Sequence, residues 1–473
     1  MSVKMKRTKI VSTIGPATDD KDVIQQIINE GVDVIRQNFS HVDHEAHAEI
    51  YSRVRDVSDR VAMMADTKGP EIRLGQVEEG TELEPGDKVD IKDTEQEGNK
   101  EMLPINYGDL PKHVEKGDEI RIDDGKIELE VEESSDGKIE AEVIFGGEVA
   151  SRKAVNVPGK DIGLNAPTEK DKKDIEFAAE KGYDLVSLSF VKRAEDVEKV
   201  RDILEKHGSE MAIISKIEHR KAVENFDEIL EVSDGIMVAR GDLGVEMPAA
   251  KLPKLQKQMI QKSNKAGKPV ITATQMLESM TENPTATRAE ISDVGNAVMD
   301  GTDAVMLSGE TAIGDYPAKT VSFMAEIVKE TEKALDDEVH HTVKQEPENR
   351  TQIICKNAWQ ASKDIDASYI VSNTRSGSSA REVSKYRPEA PIMAFTDKKS
   401  TQRQLQLSWG VMPRVQESYS SVEDMVQRSV EGLYRENGAD KADQLVITAG
   451  IPPSTEGNTN MMQIRTVEEV MED

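Results

Sequence analysis

The feature that most limits the possible folds is a recurrence. Eight apolar runs of four or five residues each close on a cluster of polar side chains, and helical patterns fill the spaces between them. The runs are Lys9 to Thr13, Val32 to Ile35, Val61 to Ala65, Leu185 to Ser189, Ala212 to Ser215, Ile236 to Ala239, Pro269 to Ala273 and Ala304 to Leu307. Runs this short and this continuously apolar suit strands buried on both faces of a parallel sheet. Eight strand and helix units, once a long insertion is removed, come close to the length of a (β/α)₈ barrel. An open doubly wound sheet is the rival, but Thr13-Ile14-Gly15-Pro16 after the first run lacks the glycine spacing of a dinucleotide turn. The expected fold class is therefore α/β: a (β/α)₈ TIM barrel with an inserted all-β lid and a C-terminal α/β unit.

The insertion announces itself by a change of period. From Glu71 to about Val155 apolar and polar residues alternate, with turn signals at Asp123-Asp124-Gly125, Asp136-Gly137 and Gly146-Gly147. That pattern predicts an all-β unit built of hairpins, each strand wet on one face. The stretch also holds about −14 of the net charge of −29. Barrel rhythm resumes at Thr168, whose spacing to Asp171 is a capping box for a helix closing at Gly182. We thus expect a barrel from residues 1–70 and 156–335, an insertion over 71–155 and a third unit over 350–473. In the third unit, strands are expected at Tyr369 to Ser372, Ile392 to Phe395, Val411 to Val415 and Gln444 to Thr448. Two of its loops stand out: Thr374, Arg375, Ser376, Gly377, Ser378 and Ser379 before a helix, and 449–460. The first offers hydroxyls, a cation and backbone N–H groups to an anion; equally, Ser and Thr cap helices without any ligand.

Charge narrows the partners. With Asp+Glu at 90 against Lys+Arg at 61, no broad basic face is on offer, so nucleic acid is not expected as a partner. The acidic excess fits a salty cytoplasm or an ordinary acidic enzyme. No apolar run approaches a membrane span and no leader pattern opens the chain, so a cytoplasmic protein is expected. One cysteine, Cys355, leaves neither an intrachain disulfide nor a cysteine-built zinc site.

In a barrel of this kind chemistry gathers where the strands end. The fifth run delivers Lys216 and Glu218, one residue apart and so on one side of an extended chain; the sixth delivers Arg240 and Asp242. A lysine beside two acids suits phosphoryl transfer, the acids holding a divalent metal and the lysine neutralising the group in flight. A plain Lys216–Glu218 ion pair is the simpler alternative. Other mouths add Arg36, Asn38 and Ser40; Asp66, Thr67, Lys68 and Arg73; Thr272, Thr274 and Gln275; Ser308 and Glu310.

These mouths carry a family likeness. TIGPAT, RQNFSH, DTKGPEIR, SKIE, VARGDLGVE, TATQMLESM, TATRAEISDVGNAV and MLSGETAIGDYP, in that order, make the chain resemble the pyruvate kinases over essentially its whole length. The resemblance implies phosphoryl transfer from phosphoenolpyruvate to ADP, with Mg²⁺ (or Mn²⁺) on Glu218 and Asp242 and with Lys216 neutralising the phosphoryl group. Arg36 and Arg73 would contact phosphates, and His41 and Arg193 would join Arg36 at the nucleotide. Backbone N–H groups of Gly241 and Asp242, with Thr274, would bind the substrate carboxylate. Thr274, Ser308 and Glu310 would serve protonation of the enolate.

Asn38, Ser40, Asp66 and the Thr67 carbonyl match the family's K⁺ ligands, and Glu71 in place of a lysine implies K⁺ dependence. The insertion would be a mobile lid over the nucleotide. Further implications are a homotetramer with the Arg288 to Val298 helix in one interface, and a phosphorylated metabolite as allosteric effector at Thr374, Arg375, Ser376, Ser378 and Ser379. The appended phosphohistidine-type domain of some bacterial members is expected to be missing, since the sequence stops soon after the last expected strand. Two departures leave roles open. Gln37 stands where the family usually has leucine, and Lys192-Arg193 reverses a common Arg-Lys pair, which passes a nucleotide-phosphate role to Arg193. A non-catalytic relative and a pyruvate-type lyase are the rival functions; the first should have lost Lys216 or a metal ligand, and the second needs no ADP.

Overall fold

The computed structural model describes residues 6–135, 137–337, 347–417, 419, 421–451 and 459–472. Its centre is a closed barrel of eight parallel strands: β1 (Lys9–Ile14), β2 (Val34–Asn38), β3 (Ala62–Asp66), β4 (Leu185–Leu188), β5 (Ala212–Ile217), β6 (Gly235–Ala239), β7 (Val270–Ala273) and β8 (Ala304–Leu307). Every expected strand is present, and β1 closes on β8 with Lys9 opposite Ala304. β1, β3, β4, β6, β7 and β8 are buried along their whole length, which is why their sequences show no polar alternation. The expected capping box forms: Thr168 accepts from Asp171 N–H, and helix Glu169–Lys181 ends at Gly182 with φ 82°.

The insertion forms a seven-stranded sheet plus a two-stranded ribbon. Ile127, Leu129 and Val131 face its core, and Glu128, Glu130 and Glu132 face outward, the alternation seen in the sequence. One expectation needs correcting. Lys88–Asp93 and Met102–Ile105 run parallel, not as a hairpin, because the chain between them loops back before pairing. The first and last strands of the sheet pair with each other, Arg73 opposite Ala154, so both connections to the barrel leave side by side. Residue 136 of the expected Asp136-Gly137 turn lies outside the described residues.

The third unit is a five-stranded sheet in the order β11 (Val411–Val415), β10 (Ile392–Thr396), β9 (Tyr369–Asn373), β12 (Gln444–Gly450), β13 (Thr459–Thr466). The four expected strands are parallel; β13, an antiparallel edge strand, was not anticipated. Its sequence TNMMQIRT is half polar, as an edge strand allows, and so carries little strand signal. Residues 452–458 of the second expected loop lie outside the described residues.

This unit docks on the base of the barrel, away from the strand mouths. Lys9 at the start of β1 donates to the Val411 carbonyl at 2.7 Å, and Arg387 pairs with Asp303, just before β8, at 2.9 Å. Arg7 and Arg387 both lie against the Trp409 ring, at 5.1 and 4.9 Å. No described helix is long and apolar enough to cross a membrane.

Candidate active site at the strand mouths

The period-two geometry of β5 sends the Lys216 side chain toward the barrel mouth, and Glu218 follows on the same side. The Lys216 ammonium touches three oxygens: Glu218 Oε1 at 2.8 Å, Ser189 Oγ at 2.7 Å and Asp66 Oδ1 at 3.3 Å. Asp66, fully buried at the end of β3, also accepts from Arg36 Nε, and Arg36 Nη1 donates to Thr13 Oγ1 at 2.9 Å. Glu218 is itself held by the Phe190 N–H at 2.7 Å. The simple Lys216–Glu218 ion pair therefore exists, but as one edge of a network over five strand ends.

Electrostatics fix the charge states. Burial alone would strip the Lys216 proton; the carboxylates of Asp66 and Glu218 outweigh it and hold the group above the usual lysine range, as ammonium. Burial would likewise raise Asp66, and Arg36 and Lys216 together push it down instead. Asp242 goes the other way. Burial, then the charge of Glu218, raises its carboxyl to about 7, with Glu71 and Asp124 adding to the effect and Lys216 only partly opposing it. Two mutually repelling carboxylates at the rim of a buried site are a donor set that a divalent cation relieves. Among the described residues no group of three or more His, Cys, Asp or Glu gathers for a metal, so this pair would leave most coordination positions to substrate and water.

The β6 and β7 mouths are coupled through backbone. Gly241 N–H donates to Thr274 Oγ1 at 2.8 Å, and Thr274 holds φ of +67°, costly for a β-branched residue. Arg240 stabilises that turn, donating to the Thr274 carbonyl at 2.7 Å while paired to Asp293 at 2.5 Å. Glu310, fully buried, accepts from Ser308 N–H at 2.7 Å and Leu277 N–H at 3.1 Å, tying the loops after β7 and β8 together.

The remaining expected residues fall into separate places. Asn38 sits opposite Asp66 across β2 and β3, and its Oδ1 accepts from Ser40 N–H at 3.1 Å. The Thr67 carbonyl accepts from Ser189 Oγ at 2.6 Å. Arg73 pairs with Glu71 at 2.8 Å on the wall between barrel and insertion, where Glu71, Asp124 and Asp242 line one small cavity. His41 is exposed, and Arg193 caps the next helix without lining that cavity. Lys192 does line it, buried and bonded to Asp161 at 3.0 Å and to the Leu164 carbonyl at 2.8 Å.

The loop of Thr374, Arg375, Ser376, Ser378 and Ser379 lies in the third unit, remote from these mouths. Gly377 N–H donates to Thr374 Oγ1 at 3.1 Å, and Ser379 Oγ contacts Thr459 Oγ1. Sequence reading missed Thr13, Ser189 and the Phe190 N–H, which fill the first and fourth mouths; the polar residue ending each run was the available signal.

The barrel-domain profile "Pyruvate kinase, barrel domain" matches residues 5–321, and "Pyruvate kinase, alpha/beta domain" matches 352–465. The chain belongs to the pyruvate kinase family. A pyruvate kinase of Sporosarcina psychrophila is 44% identical over 477 residues, covering 99% of this chain and 81% of that protein. One of Clostridium acetobutylicum is 43% identical over 473 residues, covering 98% and 100%. The crystal structure of a Cryptosporidium parvum pyruvate kinase superposes with a TM-score of 0.92 at 37% identity, covering 98% of this chain and 96% of that one. Against the family's usual leucine, Gln37 finds polar partners on the outer face of β2: its Oε1 accepts from the Tyr183 hydroxyl and its Nε2 reaches the His47 carbonyl at 3.5 Å.

Proposed function

We propose that this chain is a pyruvate kinase in action as well as in family: it moves the phosphoryl group of phosphoenolpyruvate to ADP, giving pyruvate and ATP. The observation that carries the mechanism is the Lys216 ammonium, held protonated by Asp66 and Glu218 at the meeting point of five strand ends. As the bond between phosphorus and the enol oxygen breaks and one to the ADP β-phosphate forms, charge spreads over the phosphoryl oxygens, and Lys216 and Arg36 neutralise it. Glu218 and Asp242 would hold Mg²⁺ (or Mn²⁺), which would supply further charge neutralisation.

The substrate carboxylate takes the N–H groups of Gly241 and Asp242, the first of which now donates to Thr274 Oγ1. The enolate left behind takes a proton at its methylene carbon. Thr274, Ser308 and Glu310 serve that step, Glu310 by fixing the Ser308 and Leu277 backbones. Arg36, His41 and Arg193 would serve the nucleotide and Arg73 the phosphates, and the buried Lys192 is a further cation, on the wall of the cavity that Glu71 and Asp242 line.

The oxygens of Asn38, Ser40, Asp66 and Thr67 suit a monovalent cation, since the set carries one full charge and Asp66 already serves two cations. K⁺ at that position would complete the network. The reading extends to a cytoplasmic homotetramer with Arg288–Met299 in an interface, and to a phosphorylated effector at the Thr374 to Ser379 loop.

Phosphorus NMR of phosphoenolpyruvate, ADP and Mg²⁺ with the protein tests the reaction. Phosphorus should move to the γ position of ATP with no free phosphate. Phosphate release without ADP would replace the kinase with a lyase or phosphatase.

A further inference from the structure

Docking of the third unit on the barrel base leaves a cavity of about 220 Å³ between them, at the end opposite the active site. Its barrel wall carries Asp234 and Lys268, just before β6 and β7. Its other wall carries Ser378, Arg381 and Glu382 of helix Ser378–Ser384, together with Ser408. The charged groups are not equivalent. Asp234 is committed to Arg201 at 2.9 Å and to the Ile213 N–H at 2.8 Å, and Glu382 to Lys385 at 2.5 Å. Among the described residues the two cations form no ion pair. Lys268 donates to the Leu230 and Glu231 carbonyls, both at 2.7 Å, and Arg381 gives one N–H to the Ser376 carbonyl at 2.9 Å.

Burial pulls both cations below their ordinary values, the charges of Asp234 and Glu382 offsetting it only in part. Ser408, 3% exposed, has a side-chain oxygen bonded to nothing among the described residues. A desolvated guanidinium and ammonium facing one polar cavity, with an unpartnered buried hydroxyl, are groups an anion would satisfy. A carboxylate has two oxygens for these donors; a phosphate monoester has three terminal ones and inorganic phosphate four, and the guanidinium fork matches phosphate geometry. The volume, that of about seven waters, admits phosphate or a short ester.

We propose that this cavity binds a small phosphate-bearing anion whose oxygens bridge Lys268 of the barrel and Arg381 of the third unit, with the Ser378 and Ser408 hydroxyls completing the shell. Ser378 is its one residue shared with the loop assigned to an effector. The anion would pin the two units together where Arg381 already holds the Ser376 carbonyl.

Equilibrium dialysis of inorganic phosphate against the whole protein, at fixed ionic strength, tests this in the parent, Lys268→Met, Arg381→Gln and Thr374→Val. Each of the first two variants should weaken one class of phosphate by at least about tenfold, the loss of a charge-assisted contact, and Thr374→Val should leave it unchanged. Glycerol 3-phosphate run alongside separates the sources: tighter retention of the ester assigns an ester, tighter retention of phosphate the free ion. Parent-like phosphate binding in either folded cation variant, judged by its melting curve, would overturn the proposal. So would a loss confined to Thr374→Val, which would move the anion to the loop.

Discussion

Asp66 and Lys216 lie 3.3 Å apart in the barrel interior, and the same Asp66 carboxylate also accepts from Arg36. One acid on β3 is thus shared by cations on β2 and β5. Removing it leaves two buried positive charges facing each other, so Asp66→Ala should lose activity and also about 3–5 kcal/mol of stability, the cost of breaking a buried pair. Denaturant melts of parent and variant check this, and an unchanged midpoint would mean the network is not structural.

Glu71 pairs with Arg73 at 2.8 Å and lines the cavity containing Asp242. If K⁺ sits on the oxygens of Asn38, Ser40, Asp66 and Thr67, the resemblance to the family implies that an ammonium at position 71 takes its place. Glu71→Lys is expected to turn over in K⁺-free buffer at a rate near its rate with K⁺, whereas the parent falls steeply without K⁺. Equal dependence in the two proteins would discard the cation site and leave the transfer chemistry untouched.

The insertion touches the barrel through Arg121, whose Nη1 donates to the Val245 carbonyl at 2.6 Å in the helix that carries Asp242. If the insertion acts as a lid over the nucleotide, Arg121→Ala should loosen its contact with the barrel and raise KM for ADP by about two- to tenfold, the worth of a charge-assisted hydrogen bond partly exposed to water, with little change in stability. Initial rates at varied ADP read it directly.

His47 lies flat on Phe39, ring centroids 3.8 Å apart at 9°, with neither ring nitrogen bonded among the described residues. Burial pulls its imidazole from 6.5 down to about 4, the nearby Asp174 opposing only in part. The folded state then binds fewer protons than the unfolded one in this window. His47 therefore costs nothing above pH 6.5, and stability is lost as pH falls from there toward 4. The Tm drop between pH 7.5 and pH 5 should be smaller in His47→Leu than in the parent.

Much of this was legible in the sequence because both signals are local. Eight apolar runs closing on polar residues fixed all eight barrel strands, and period two placed Lys216 and Glu218 on one side of β5. What escaped was non-local or unmarked. β13 is an edge strand whose half-polar sequence matches a loop, and the parallel pairing of Lys88–Asp93 with Met102–Ile105 depends on the path of the chain between them. Ser189 and Thr13 looked like strand residues, and it is the side-by-side pairing of β4 with β5 and of β1 with β2, Thr13 opposite Arg36, that brings them to Lys216 and Arg36. The Lys192-Arg193 order was visible, yet which of the two faces the cavity wall was not.

The most direct test of the central claim is pyruvate formation from phosphoenolpyruvate and ADP with Mg²⁺, measured side by side for the parent and Lys216→Met. With a buried ammonium at the centre of the transfer, kcat should fall by about 10³-fold or more while the variant stays folded, in line with loss of a preorganised charge at the reacting group. A folded Lys216→Met protein turning over within about tenfold of the parent would contradict the account, since a change that small is the worth of a peripheral contact.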